Sequence, residues 1–271
     1  MPPLPVRDLP LQDLPPPAGR RVSGMLSAAS DLLFPPVCIN CRADVMTPHG
    51  LCADCWGDAD FIDSPLCRRC GAPSQGYDDA PYCDECLGRE QAFDQARAAL
   101  LYDRVGRRLA LRLKHGDRMD LARPLGLWMA RAGRDVLAEA DLVVPVPLHW
   151  TRRLRRRFNQ AAELSRWTVR AAAAQGQRLR HEPNLLVRTR ATGSQKGRDR
   201  AARIAHLAGA FAARPGRASA LAGATVVLVD DVYTTGATLS ACAQALREGG
   251  AAKVHALTLA RVAATPREDA A

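Results

Sequence analysis

Two constellations in this sequence have residue types and spacings that could do chemistry. The first is a set of eight cysteines in four C-x-x-C pairs: Cys38/Cys41, Cys52/Cys55, Cys67/Cys70 and Cys83/Cys86. A two-residue gap lets a tight turn aim two thiolates at one ion, and two such turns complete a tetrahedral Cys₄ site. The second is the run Val226-Val227-Leu228-Val229-Asp230-Asp231-Val232-Tyr233-Thr234-Thr235-Gly236-Ala237-Thr238. Here an apolar strand runs into two adjacent carboxylates, a short Thr/Gly loop follows, and a helix begins.

The gaps between successive cysteine pairs are 10, 11 and 12 residues, so the module reads as a duplicated unit. Eight thiolates suit two zinc ions. Sequential pairing, first with second and third with fourth, is the simplest arrangement, and a cross-braced one stays open. A disulfide framework is disfavoured because no secretory signal accompanies the cysteines. An iron–sulfur site is a lesser alternative. His49, with eight thiols beside it, reads as a turn residue, and the ninth cysteine, Cys242, reads as a buried core thiol.

In the second constellation, free backbone N–H groups at a helix N-terminus, with the helix dipole behind them, form an anion site. Thr234, Thr235 and Thr238 add hydroxyl donors, and Gly236 permits close backbone approach. Asp230 and Asp231 suit sugar hydroxyls, which donate hydrogen bonds to carboxylates. Phosphate at the loop and hydroxyls at the Asp pair describe a ribose 5-phosphate. The run matches neither G-x-x-x-x-G-K-[ST] nor G-x-G-x-x-G, which disfavours a P-loop NTPase or a dinucleotide fold. Simple N-capping needs one Asp or Thr, whereas this segment supplies five within nine positions.

This stretch resembles the PRPP-binding motif of type I phosphoribosyltransferases, and with the four cysteine pairs upstream the chain resembles the ComF family. Val144-Pro145-Val146-Pro147-Leu148-His149, Arg156-Arg157-Phe158-Asn159-Gln160, and Gln195 through Arg203 to Gly209-Ala210-Phe211 extend the likeness over about residues 34–262. The resemblance implies a five-strand parallel core, Asp230 and Asp231 on the ribose hydroxyls, and Thr234, Thr235, Gly236, Ala237 and Thr238 around the 5-phosphate. It places the Val146, Pro147 and Leu148 turn against the pyrophosphate, with Mg²⁺ bridging pyrophosphate and ribose oxygens. It also implies a tie to DNA uptake and a competence helicase-type partner. The sequence departs from the family pattern at Arg157, where Gly is usual, at Gln195-Lys196-Gly197-Arg198, where Gln-x-x-Leu is usual, and at His206, where Asn is usual.

The elements that must position these groups follow from the patterning. Residues 1–33 are proline-rich and read as disordered up to a short amphipathic stretch, Gly24 to Phe34. Residues 34–90 read as a double zinc ribbon, 91–263 as a phosphoribosyltransferase-like α/β domain and 264–271 as a disordered tail. Strands are expected at Ala98–Tyr102, Leu142–Pro147, Thr225–Val229 and Lys253–Leu259. Helices are expected at Val105–His115, Met119–Leu137, Asn159–Ala174, Arg198–Ala208 and Ala237–Glu248, the last closed by Gly249-Gly250. Alternation of helices with near-continuous apolar strands predicts a mostly parallel sheet with helices on both faces.

The charge is divided. Of the net +10, residues 38–90 hold four Arg against ten Asp and Glu, while 91–271 hold 31 basic against 15 acidic residues. Each Zn(Cys)₄ site adds about −2, so the ribbon would repel phosphates. Nucleic acid, if bound, is expected on 91–271 as a single strand. There Arg152, Arg153, Arg155, Arg156 and Arg157 form one basic cluster, and Arg188, Arg190, Lys196, Arg198, Arg200 and Arg203 another. Arg156, Arg157 and Arg203 are candidates for neutralising a pyrophosphate leaving group. Few aromatics (Trp150, Phe158, Trp167, Tyr233) accompany them, which argues against a long stacking platform. No clear general base stands out; His115 and His149 are candidates, but a lone His is more often structural. No apolar run is long enough for a membrane span, so no membrane insertion and a cytoplasmic location are expected.

Overall fold

The computed structural model describes residues 35–74, 81–88, 91–115, 118–148, 158–190, 207 and 209–263. The expected disorder of 1–33 and the tail, the helix at Gly24–Phe34 and all but Leu207 of the helix at Arg198–Ala208 lie outside them. So do His149, Arg156, Arg157 and Arg203, and the side chain of His115.

Four strands expected from apolar runs are present, with moved ends: β1 (Gln95–Leu101), β2 (Leu142–Pro145), β6 (Thr225–Tyr233) and β7 (Lys253–Arg261). Between β2 and β6 lie three short strands that the patterning did not indicate: β3 (Arg180–His181), β4 (Leu186–Arg188) and β5 (Phe211–Ala213). The sheet runs β1-β7-β6-β2-β3 and every pairing in it is parallel. β4 and β5 form a separate antiparallel pair. Val226, Val227, Leu228 and Val229 are all fully buried, as a central strand covered on both faces requires.

Two small helices, α1 (Ala53–Gly57) and α2 (Asp84–Leu87), belong to the cysteine segment; α3 (Arg104–His115) follows β1. Val105, Leu109 and Leu113 recur at helical spacing and are buried, while Arg107 and Arg108 face out. Burying each such side chain contributes about 1.5–3 kcal/mol. The single helix expected over Met119–Leu137 is instead three pieces: a 3₁₀ turn (Met119–Leu121), α4 (Ala122–Ala132) and α5 (Arg134–Ala138). The break falls at Gly133, where a Cβ would lie 2.7 Å from Leu257 Cδ1, so glycine lets the chain pack closely on the Leu257 side chain of β7. α6 (Gln160–Ala174) begins one residue later than expected because Asn159 is its N-cap. α7 (Ala237–Glu248) ends at Gly249 as expected.

The sheet divides the core in two. On one face it packs with α3, α4, α5 and α6, joined by Ile39, Leu51 and Phe61 of the first cysteine unit. The other face carries α7 and the β4-β5 pair, joined by Cys67, Cys70, Ala72 and Cys86 of the second. The cysteine segment also covers the edge of β1. Ile62 N–H donates to Ala99 O (3.0 Å), Leu101 N–H to Asp60 O (2.9 Å) and Ala96 N–H to Arg69 O (2.6 Å). An edge that could pair with another chain is thereby occupied.

Candidate ribose-phosphate site and zinc centres

The duplication read from cysteine spacing is present in the backbone. Cys38 N–H donates to Ala43 O (2.7 Å) and Cys67 N–H to Ala72 O (2.8 Å), and α1 and α2 start directly after Cys52 and Cys83. The pairing is sequential: Cys38, Cys41, Cys52 and Cys55 form one cluster, and Cys67, Cys70, Cys83 and Cys86 the other. Within each, the four sulfurs lie within 4.8 Å of one another. The contacts Cys41–Cys52 at 3.5 Å and Cys70–Cys83 at 3.6 Å are far beyond a disulfide bond. They approach the ~3.8 Å edge of a tetrahedron whose Zn–S arms are about 2.3 Å. The donor sets therefore fit two zinc ions.

N–H groups point at the sulfurs, as thiolate ligands require: Cys83 N–H lies 3.3 Å from Cys67 Sγ, and buried Asn40 donates to Cys55 Sγ at 3.1 Å. An arginine of the α/β domain grips each unit. Arg112 of α3 donates to Ile39 O and Asn40 O, and Arg261 at the end of β7 donates to Cys70 O at 2.6 Å. His49 is an exposed turn residue with φ 67°, and Cys242 is a fully buried thiol pushed well above its usual range by burial.

The second constellation gathers at the C-terminal end of β6. The strand does not stop at Val229 but continues through Asp230 and Asp231 to Tyr233, with Asp230, Val232 and Tyr233 paired to β7. Tertiary pairing thus holds the two carboxylates in regular extended backbone at the sheet's rim, with side chains on opposite faces. Asp231 N–H donates to Asp230 Oδ1 at 2.8 Å. Burial first, and the charge of Asp231 second, push the Asp230 carboxyl up to about 8. Lys114, from the last turn of α3, brings its Nζ to 3.8 Å from Asp231 Oδ2.

After Tyr233 the chain turns into α7. Gly236 is the N-cap with φ 76°, a left-handed conformation that favours glycine. A Cβ there would also lie 2.6 Å from Tyr233 Cε2, so the Tyr233 ring fills the space beneath the loop. Asp230, Val232, Tyr233, Thr234, Gly236, Thr238 and Leu239 line a small open hollow at this turn. Val146, Pro147 and Leu148 leave the end of β2, the strand next to β6. Val146 N–H donates to Val229 O (2.8 Å), and Asn159, which caps α6, donates to Val146 O (3.1 Å). Of the site residues read from the sequence that are described, Asp230, Thr234, Gly236 and Thr238 share the hollow, with Asp231, Thr235 and Ala237 between them in the chain. Lys114, Asn159 and Tyr233 are added by the fold.

Residues 29–87 match the double zinc ribbon domain family and residues 163–271 the phosphoribosyl transferase domain family. Competence protein F of Haemophilus influenzae is 30% identical over 234 residues, 83% of this chain and 96% of that protein. DNA utilization protein YhgH of Escherichia coli K12 is 31% identical over 240 residues, 85% of this chain and 99% of that one. Among solved structures, a glutamine PRPP amidotransferase from B. subtilis complexed with ADP and GMP aligns with a TM-score of 0.35 at 21% identity. It covers 54% of this chain, which spans 30% of that structure's length.

Proposed function

We propose that this chain, which belongs to the ComF family of zinc-ribbon phosphoribosyltransferase-domain proteins, binds the ribose 5-phosphate end of PRPP at the C-terminal rim of its sheet. The observation that carries this reading is the continuous β6–loop–α7 segment. It sets the Asp230 and Asp231 carboxylates a few residues before an uncapped helix N-terminus flanked by Thr234, Thr235 and Thr238. N–H groups and hydroxyls of Thr234 to Thr238 hold the 5-phosphate. Asp230 and Asp231 accept hydrogen bonds from the ribose hydroxyls. The Val146-Pro147-Leu148 turn, fixed by Asn159, faces the pyrophosphate. Asp230 and Asp231 are also the residues that would hold Mg²⁺ with PRPP, where the ion supplies neutralising charge.

The reaction that suits this arrangement is phosphoribosyl transfer. The bond from the ribose anomeric carbon to the pyrophosphate oxygen breaks, and its electron pair leaves with pyrophosphate. The acceptor's lone pair forms the new bond, and the acceptor's proton passes to solvent. Positive charge develops on the ribose ring and negative charge on the leaving group. The carboxylates of Asp230 and Asp231 suit the charge on the ring and the cation of Lys114 the charge on the leaving group, for which Arg156, Arg157 and Arg203 are further candidates from the sequence. No dedicated base is needed for this division of labour.

A second reading keeps the ligand and drops turnover: a PRPP-sensing adaptor that handles single-stranded DNA. The names of the relatives, a competence protein and DNA utilization proteins, favour a role in DNA uptake. One surface feature favours contact with a strand. Trp167 of α6 has the guanidinium groups of Arg123, Arg166 and Arg170 at 5.7, 5.9 and 4.8 Å from its ring. Such a site combines phosphate neutralisation with a face for a base. We place this activity in the cytoplasm beside a competence helicase-type partner.

Calorimetric titration with PRPP and Mg²⁺ separates these readings. Saturable binding by the wild-type protein, lost in Asp230→Asn/Asp231→Asn, supports the pocket, and pyrophosphate release with an acceptor supports transfer. Absence of binding by folded, zinc-loaded protein would sink both.

A further inference from the structure

Arg261 is an ionic side chain that is only 2% exposed, at the last residue of β7. Its Nη1 donates to Cys70 O at 2.6 Å and to Cys70 Sγ at 3.4 Å, and its Nε has no hydrogen-bond partner among the described residues. A buried guanidinium needs a neighbouring negative charge, because the uncompensated charge would oppose folding. The four thiolates of Cys67, Cys70, Cys83 and Cys86, with one divalent ion, carry a net charge of about −2. The same guanidinium lies 5.1 Å from the centre of the Tyr233 ring, and the Phe93 ring meets that ring in an edge-to-face arrangement at 6.1 Å. The Tyr233 ring is in turn the group against which Gly236 closes. Second tetrathiolate, Arg261, Tyr233 and phosphate loop thus form one run of direct contacts. The first tetrathiolate has no part in it; its arginine, Arg112, sits on α3 on the opposite face of the sheet.

We propose that Arg261 is a positioning residue: it uses the charge of the second zinc tetrathiolate to hold Tyr233 beneath the phosphate loop. The second zinc centre is therefore a working part of the ribose-phosphate site, while the first serves the fold alone. This inference rests on the reading of that loop as a phosphate site, but its geometry can be tested without a ligand. Binding at one end must then affect the other by the same factor, since coupling between two sites is reciprocal.

The test compares full-length Arg261→Met, Cys83→Ala and Cys52→Ala with wild type. Cys52 and Cys83 occupy equivalent, partly exposed places in the two units. Two readouts are taken: amide hydrogen exchange over residues 233–240, and the Kd for Mg²⁺-PRPP. Arg261→Met and Cys83→Ala should each speed exchange in that loop at least tenfold and weaken PRPP at least tenfold. Cys52→Ala should leave both within twofold while loosening residues 38–62. Equal loosening by the two cysteine variants, or wild-type protection of the loop in folded Arg261→Met, would overturn the proposal. Should Arg261→Met not fold, the cysteine pair decides alone. If wild type binds no PRPP, the exchange result still judges the coupling, and the ribose-phosphate reading fails separately.

Discussion

Lys114 and Asp231 meet across the C-terminal rim of the sheet, Nζ to Oδ2 at 3.8 Å, although one ends a helix and the other lies far along the chain in a central strand. The lysine is about one-third exposed and the aspartate less, so the pair lies at the solvent-facing rim of the sheet rather than in the core. A cation in that place can attend the Asp pair before ligand arrives and a pyrophosphate oxygen afterwards. Lys114→Ala is expected to weaken Mg²⁺-PRPP about tenfold, the loss of one charge-assisted contact. Lys114→Arg should recover part of it, with melting temperatures nearly unchanged. Calorimetry on the three proteins checks this.

Gly236 faces two independent demands, a φ of 76° and a Tyr233 ring 2.6 Å from any Cβ. Gly236→Ala should therefore disturb the loop, not the sheet. The expected result is loss of PRPP binding by tenfold or more, with destabilisation of about 1–3 kcal/mol in urea unfolding, the usual cost of a strained backbone site. Tyr233→Leu/Gly236→Ala removes the obstructing ring edge but leaves the demand for a positive φ, so it should recover only part of the stability and none of the binding.

Asp230 gives a pH dependence with a definite sign. Its carboxyl is pushed up to about 8 in the folded protein, first by burial and then by Asp231, against an ordinary value near 3.8. Between those values the native state holds a proton that the unfolded chain has lost. Stability of the ligand-free protein should then fall as pH rises from about 4 to 8 and level off above. Asp230→Asn removes this slope. Its melting temperature should exceed that of wild type at pH 8.5 and match it near pH 4, while ribose-phosphate binding is lost. Binding by wild type should tighten as pH rises through 8, since only the ionised carboxylate accepts from two hydroxyls.

These sites were unevenly legible in the sequence. The cysteine units and the Asp230–Thr238 run could be read because their geometry is local: a two-residue gap or a strand–loop–helix passage places the groups with no help from the rest of the chain. Lys114, Arg261 and Tyr233 could not, because each acts through a partner supplied by the fold. Lys114 looks like any basic residue at a helix end, and Arg261 looks like the polar stop of an apolar strand. The break at Gly133 was hidden for the same reason: the residue that glycine accommodates there, Leu257, lies on β7 and not in its own helix. The β4-β5 pair escaped because three-residue strands carry too little periodicity to register.

Zinc content provides a separate check. Two tetrathiolate clusters predict two zinc ions per chain by mass spectrometry under non-denaturing conditions. Cys38→Ser should reduce this to one and lower protection of β1, whose edge accepts hydrogen bonds from and donates them to the cysteine segment. A count of two in Cys38→Ser would contradict the assignment of that cysteine as a ligand.

The last prediction concerns where a nucleic acid strand would lie. The ribbon region is acidic before zinc is counted and more so with two tetrathiolates, while 91–271 carries the basic excess. Within the basic part, Trp167 is the described aromatic that three arginines surround, and among the described residues only Arg166 of those has a carboxylate held close, Glu163 at 2.6 Å. Single-strand binding releases counterions with a slope of about −0.7 per phosphate contact in a plot of log K against log salt. Arg123→Gln/Arg166→Gln/Arg170→Gln should make that slope shallower by about 2, whatever the sequence of the strand. Trp167→Ala should weaken binding by about 1–3 kcal/mol without changing the slope, because stacking moves no counterions. Fluorescence titration of a labelled oligonucleotide at three salt concentrations measures both. An unchanged slope in the triple variant would place the strand elsewhere on the basic surface, with the clusters around Arg152–Arg157 and Arg188–Arg203 as the next positions to vary.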